Sequence, residues 1–251
     1  EPRWAVAYKF PPTQSVTRLL HIGINVGRTG TINPYAVLDP VEVGGVIVKN
    51  ATLHNEDYIR KKDLRIGDWV LIERAGEVIP KVVKVLVERR TGTEIEFQMP
   101  THCPSCGQNI VTPYGEALSL CLNASCSIQL VRRLEHFVSK NSMDVEGLGI
   151  KLTGVIVQMG LINDVSDIYY LCDSDLLALD RMAQKSVTNL LGAIDSSKSR
   201  PLHRVITALG IPHVGVEASE LLAKKYGSID SLISSKEKEL IGMPGIGPKI
   251  A

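Results

Sequence analysis

Cys103-x2-Cys106 and Cys121-x4-Cys126 stand fourteen residues apart and hold four of the five cysteines in the sequence. A tetrahedral zinc ion takes four thiolates at about 2.3 Å, and a Cys-x2-Cys knuckle presents two sulfurs to one ion. Pro104 stiffens the first knuckle, and Gly107 supplies the turn after it. The plainer alternatives are a disulfide pair or unrelated buried thiols. The opening residues Glu1-Pro2-Arg3-Trp4 do not read as a secretory signal, and the spacings favour zinc. Four thiolates leave no open coordination position, so the predicted site is structural rather than catalytic. A segment this short has little core, and metal binding is expected to supply its folding free energy. His102, next to the first cysteine, is the alternative ligand; Cys172, after the apolar run 168–171, reads as a buried core residue.

A second set of residues has chemistry in its backbone. Val145-Glu146-Gly147-Leu148-Gly149-Ile150-Lys151 is echoed by Leu209-Gly210-Ile211-Pro212-His213-Val214-Gly215 and by Met243-Pro244-Gly245-Ile246-Gly247-Pro248-Lys249. A weaker copy is Leu179-Asp180-Arg181-Met182-Ala183-Gln184-Lys185. The recurrence of about 32 residues is typical of stacked supersecondary units. A small-residue turn between two helices aims backbone N–H groups outward beside a helix N-terminus, which makes an anion cup for a phosphate oxygen. Donors of this kind grip a duplex without reading its sequence. Gly147, Gly149, Gly210, Gly215, Gly245 and Gly247 are the predicted cup residues, with Lys151, Lys185 and Lys249 adding charge-assisted contacts. The plainer reading of one such turn is a helix connector, but several copies in register favour DNA-gripping helix-hairpin-helix motifs. Ala183 replaces a glycine, so the second copy is the candidate for a pure packing element.

The elements that carry these groups follow from periodicity. Alternating or β-branched runs at 16–26, 41–49, 69–74 and 79–87, with turns such as Gly27-Arg28-Thr29-Gly30 and one helical patch at 53–61, suit a small OB-type barrel. An SH3-like barrel is the competitor. From 129 onward the period is helical, with Leu130, Leu134, Phe137 and Val138 at helical spacing. The predicted architecture is multidomain: an all-β OB barrel at 13–92, a four-cysteine zinc finger at 101–128 and an all-α helix-hairpin-helix domain at 129–251. The zinc finger is expected to join the two DNA-gripping modules. In the 251-residue chain, hydrophobic residues make up 44% and aromatic residues only 5%, so the cores must be aliphatic. The net charge of +1 divides evenly: 14 basic against 12 acidic residues in 1–100, and 14 against 14 in 129–251. Specific grips, rather than a general positive field, must therefore bind any nucleic acid. No apolar run is long enough to span a membrane. The missing initiator Met, and a stop inside a Gly-rich turn, read as the cut ends of a fragment.

The order of motifs is specific. A Trp4-Ala5-Val6-Ala7-Tyr8-Lys9-Phe10-Pro11 strand precedes the barrel motifs Val26-Gly27-Arg28-Thr29-Gly30, Asn50-Ala51-Thr52-Leu53-His54-Asn55 and Arg74-Ala75-Gly76-Glu77-Val78-Ile79-Pro80. The cysteines and the hairpin repeats follow. Over essentially its whole length the sequence resembles the bacterial NAD⁺-dependent DNA ligases. The resemblance implies that residues 1–12 end the nucleotidyltransferase domain, and that Lys9 matches that domain's last motif lysine, which contacts the nucleotide phosphate. It implies that Arg28 and Arg74 approach the nick and the reacting nucleotide, and that Val78 and Ile79 press against the minor-groove side. For Arg74 the plainer reading is a rim ion pair with Glu73 or Glu77.

In that family an upstream lysine attacks the α-phosphate of NAD⁺ and releases nicotinamide mononucleotide. The AMP passes to a nick's 5′-phosphate, and the 3′-hydroxyl displaces it. The resemblance thus implies NAD⁺ as adenylate donor, Mg²⁺, nicked double-stranded DNA as partner, a monomer, and a bacterial cytoplasmic, nucleoid-associated setting. The Lys-x-Asp-Gly motif of the family's nucleophile does not occur in these residues, so the chain alone is expected not to self-adenylylate. The alternative is a non-catalytic OB and helix-hairpin-helix DNA-binding adaptor, which has no need of the 4–11 strand or the zinc link. A degenerate paralogue keeping only the clamp is disfavoured by Lys9, Arg28 and Arg74.

Overall fold

A computed structural model describes residue 4 and residues 12–74, 80–113 and 118–251 of the chain. Lys9, Val78 and Ile79 lie outside the described residues, as do Gly76 and Glu77. Two compact units emerge, Glu1–Ala124 and Ser125–Ala251.

The first unit is built around strands β1 (Thr13–Val26), β2 (Ile32–Val43) and β3 (Val46–Thr52). Helix α1 (Glu56–Lys61), the short β4 (Arg65–Ile66), β5 (Trp69–Arg74) and β6 (Lys81–Val85) follow. The barrel closes in the order β1-β2-β3-β6-β5, with β3 and β6 parallel where Thr52 meets Lys81. That order, with a helix between the third and fourth barrel strands, is the OB arrangement rather than the SH3-like one. Period-2 alternation does the sorting: Ile32, Ala36 and Leu38 turn inward along β2 while Asn33, Tyr35 and Val37 stay partly exposed. Leu19, Ile22, Val70, Ile72 and Val82 complete the barrel core, and Leu53, Ile59 and Leu64 pack into the same cluster from the α1 segment. Truncating a buried aliphatic such as Ile59 to Ala costs about 2–5 kcal/mol.

Two sequence expectations shift. The apolar run 41–49 is not one strand, because Gly44 (φ +58°) and Gly45 (φ +77°) fold it into the β2–β3 turn. Strand β2, absent from the sequence expectation, carries Pro34 and Pro40, residues that argue against strand. Pro40 escapes the ladder because the β2–β3 register breaks between Val37 and Val41. The helical patch begins three residues later than its apolar pattern, at Glu56. His54 adopts a left-handed φ of 58°, and the Asn55 side chain then caps the helix by accepting from the Tyr58 N–H at 2.9 Å.

Beyond β6 a 3-10 turn at Val87–Arg89 leads to β7 (Ile95–Glu96), which pairs with β4 outside the barrel. Arg90 holds this segment down. Its guanidinium donates to fully buried Asp68 at 2.7 and 2.9 Å and to Asp63 at 2.6 Å. A small hairpin of β8 (Ile110–Val111) and β9 (Leu120–Cys121) completes the unit.

The second unit contains α2 (Ser127–Phe137), α3 (Ile150–Gln158), a 3-10 turn at Val165–Tyr170, α4 (Asp173–Leu177) and α5 (Gln184–Ser197). It continues through α6 (Leu202–Leu209), α7 (Val216–Tyr226), α8 (Ile229–Ile233) and α9 (Glu237–Ile241). One aliphatic core, including Leu134, Leu148, Ile156, Ile168 and Leu190, serves α2 to α5. A smaller one, with Ile206, Leu222, Met243 and Ile246, serves α6 onward. Cys172 corrects the sequence expectation: it is exposed, not buried. Ile168 and Leu171 take the core positions, and Cys172 sits at the N-cap of α4, where its thiol donates to Asp175 at 2.9 Å.

Candidate nucleic-acid interface and cysteine centre

The four cysteines converge. Their sulfurs lie within 4.8 Å of one another, and Cys106 Sγ is 3.6 Å from Cys121 Sγ. Four thiolates at about 2.3 Å around a tetrahedral ion stand roughly 3.8 Å apart, so the donor set fits one zinc ion. A disulfide needs about 2.05 Å, and all of these cysteines are free thiols. Local structure explains the convergence. The Gly107 N–H donates to Cys103 O at 2.9 Å, and Gly107's φ of 70° closes the first knuckle. The β8–β9 hairpin places Cys121 opposite Ile110, and Cys126 is the N-cap residue of α2. Hydrogen bonding from Asn123 lowers the Cys106 thiol to about 6, while burial pushes Cys121 up to about 12. A divalent cation bound here would favour the thiolate form of both sulfurs.

In the barrel, Arg28 sits half-buried in the turn between β1 and β2. The turn closes on itself: Gly27 N–H donates to Thr31 O at 2.7 Å, and Gly30 N–H to Gly27 O at 3.0 Å. Gly30 takes φ 82°, which explains a glycine there. Arg74 ends β5 opposite Thr13, the first residue of β1, whereas Arg28 follows the last. The two arginines thus flank opposite ends of one strand. Glu73 does not pair with Arg74; its carboxylate takes Gln14 at 3.0 Å and Lys81 at 3.1 Å.

The hairpin turns share one geometry. A left-handed residue occurs at Gly147 (φ 90°), Arg181 (φ 62°), His213 (φ 66°) and Gly245 (φ 89°), spaced by 34, 32 and 32 residues. The next residue points inward: Leu148 and Ile246 are buried, and Met182 and Val214 half-buried. The residue after that is Gly149, Ala183, Gly215 or Gly247, and the first three are the N-cap residues of α3, α5 and α7. None of those three helix starts carries a side-chain cap, whereas Asn55 and Ser228 cap α1 and α8. Their leading N–H groups have no side-chain acceptor at the N-cap, a feature shared with α2, α6 and α9. Lys151, Lys185 and Lys249 are exposed two residues past the N-cap position.

This register moves the third copy by two residues from the sequence alignment. Gly210 is not in the turn; at φ 66° it terminates α6. Glu217 occupies the place held by lysine in the other copies.

Comparison with known proteins bears on the family. Residues 16–94 match the model of the NAD-dependent DNA ligase OB-fold domain, and residues 204–251 match a helix-hairpin-helix motif. A DNA ligase of Syntrophus aciditrophicus is 53% identical over 250 residues, spanning all of this chain and 37% of its own length. DNA ligases of Chloroflexus aggregans (50% over 252 residues) and Dehalococcoides mccartyi strain BAV1 (52% over 261) align with the whole chain and with 37% and 38% of their own lengths. The barrel is an OB-fold domain of the NAD-dependent DNA ligase type, and the full chain is about half identical to a segment of proteins named DNA ligase. The chain spans little more than a third of the length of these relatives.

Within this chain, sequence reasoning missed two features. One is a depression of about 430 Å³ on the outer face of β1–β3, lined by Asn25, Asn33, Tyr35, Asn50 and Thr52 among others. Tyr35 lies across Gly23, where a Cβ would meet the ring at 2.4 Å. The signal was the alternation of these polar residues with the core positions of β1 and β2. The other is the pair Arg181 and His213, non-glycines at left-handed turn positions, which can be aligned only once the turn register is known.

No described helix is long and apolar enough to cross a membrane.

Proposed function

We propose that the chain is the OB, zinc-finger and hairpin portion of an enzyme that seals nicks in duplex DNA, with NAD⁺ as the adenylate donor and Mg²⁺ as the metal of phosphoryl transfer. The observation that carries this reading is the ligase OB-fold match over the barrel, within full-chain identity of about half to proteins named DNA ligase. The adaptor alternative explains neither that identity nor the Trp4–Pro11 sequence motif before the barrel.

The roles divide by chemistry. Cys103, Cys106, Cys121 and Cys126 hold one structural zinc ion, whose closed coordination excludes it from catalysis. Arg28 and Arg74 hold DNA phosphate at the nick; a guanidinium does so bidentately, which Lys cannot. Lys9 places an ammonium beside the nucleotide phosphate, where charge grows during transfer. Val78 and Ile79 press on the minor-groove side. The turns at Gly147-Gly149, Gly215 and Gly245-Gly247, with Lys151, Lys185 and Lys249, grip the backbone without reading sequence. The domains run 1–12, 13–92, 101–128 and 129–251, and the enzyme acts as a monomer in the bacterial cytoplasm.

The deciding test is nick sealing by the full-length protein with NAD⁺ compared against ATP. Sealing only with NAD⁺ is the expected result, and no sealing with either removes the enzyme reading. On this chain, binding to unrelated duplexes should be equal and should weaken steeply as salt rises; a strong preference for one sequence contradicts a backbone grip.

A further inference from the structure

The cysteine centre and Arg28 are joined by backbone. Leu120, next to Cys121 in β9, pairs on one side with Val111 of β8 and on the other with Thr31, the last residue of the Arg28 turn. Cys121 N–H donates to Gly30 O at 2.8 Å, and Ile32 N–H donates to Ser119 O at 2.8 Å. Gly30 is buried at this junction, two residues from Arg28. The turn's own bonds close it as a loop, and these two bonds tie it to the strand that carries a cysteine.

Strands β8 and β9 are two residues each. A ladder that short has no independent stability in water. Whether β9 persists as a template therefore depends on what holds Cys121, which is the metal centre. We propose that the cysteine centre is a positioning device for Arg28: metal occupancy orders the 27–31 turn through the Cys121–Gly30 and Ile32–Ser119 hydrogen bonds. The proposal rests on the reading of Arg28 as a DNA contact and assigns the zinc module a task within the barrel itself.

The test compares this chain loaded with zinc and stripped by a chelator under reducing conditions. Amide hydrogen exchange is read at Ile32 and Cys121, with Ile72 of β5 as the barrel reference. Binding to a nicked duplex is measured for wild type and Arg28→Ala in both metal states. Stripping should speed exchange at Ile32 and Cys121, leave Ile72 protected, and reverse when zinc is restored. With zinc, Arg28→Ala should weaken binding about tenfold, the scale of one lost charge-assisted hydrogen bond. Without zinc, wild type should fall to the level of the variant, and the substitution should then change little. Unchanged exchange at Ile32, loss of protection throughout the barrel, or an equal Arg28→Ala effect in both metal states overturns the coupling. An Arg28→Ala variant that binds like wild type with zinc present overturns the premise instead, so the two failures are distinguishable.

Discussion

On the proposed reading, the barrel and the helical repeats offer phosphate two different kinds of donor. The barrel offers side chains, Arg28 in a turn and Arg74 at a strand end. The repeats offer backbone N–H groups at helix starts that no side chain caps. A side-chain donor is removed by one substitution. A backbone donor survives every substitution except proline, so its integrity depends mainly on the conformation of the turn. The barrel should therefore be sensitive to loss of charge, and the repeats to loss of a φ angle.

The largest effect should come from the element that braces the barrel side. If the four cysteines hold one zinc ion as proposed, Cys121→Ser should abolish stoichiometric zinc binding, measured by atomic absorption, because three thiolates bind far less tightly than four. A variant that keeps one zinc per chain would show the ligand set is wrong, and with it the idea that the barrel turn depends on metal.

The repeats sharpen the contrast next. Gly245 has φ 89°, and a Cβ there would sit 3.0 Å from Leu221 Cδ1. Gly245→Ala should cost the helical unit about 1–2 kcal/mol in denaturant unfolding. Gly149 has an ordinary φ of −81° and nothing within 4 Å of an added Cβ, so Gly149→Ala should stay within roughly 0.5 kcal/mol. Equal costs would mean the turn conformation is not what the glycines protect. Gly210→Ala should cost about 1 kcal/mol by spoiling the left-handed end of α6, yet leave affinity for duplex DNA unchanged. Weakened binding by a fully folded Gly210→Ala chain would return Gly210 to the grip.

The smallest effect lies in acid stability. Hydrogen bonds from the Thr91 and Gly92 backbone hold the Glu94 carboxyl down at about 2. A depressed carboxyl stabilises the fold above its unfolded pKa of about 4.3 and loses that contribution as pH falls toward 2. Glu94→Gln should therefore lower the barrel melting temperature slightly near neutral pH and flatten its fall across that window, so that variant and wild type converge in acid. A slope identical to wild type would show that this turn is irrelevant to acid unfolding.

Much of this was legible in advance, for reasons that differ by element. The cysteine spacing announces its own geometry, because few arrangements other than one tetrahedral ion satisfy it. A small β-barrel was readable from alternation, with OB and SH3-like types both open, but β2 was not, since Pro34 and Pro40 argue locally against a strand that long-range pairing nevertheless imposes. Cys172 was misplaced because an apolar run says nothing of where a helix begins, and the capping position put its thiol in water.

What the sequence determined by itself was composition and recurrence: four cysteines at metal spacing, glycines repeating about every 32 residues, and arginines in barrel motifs. These are local signals, carried by residue types that few other roles require. What only the tertiary structure decided was register. It moved the third turn two residues, to His213-Val214-Gly215, released Gly210 to end a helix, and set Thr31 against Leu120 so that a cysteine strand touches an arginine turn. Register depends on which distant strand or helix pairs with which, and no single stretch of sequence contains that information.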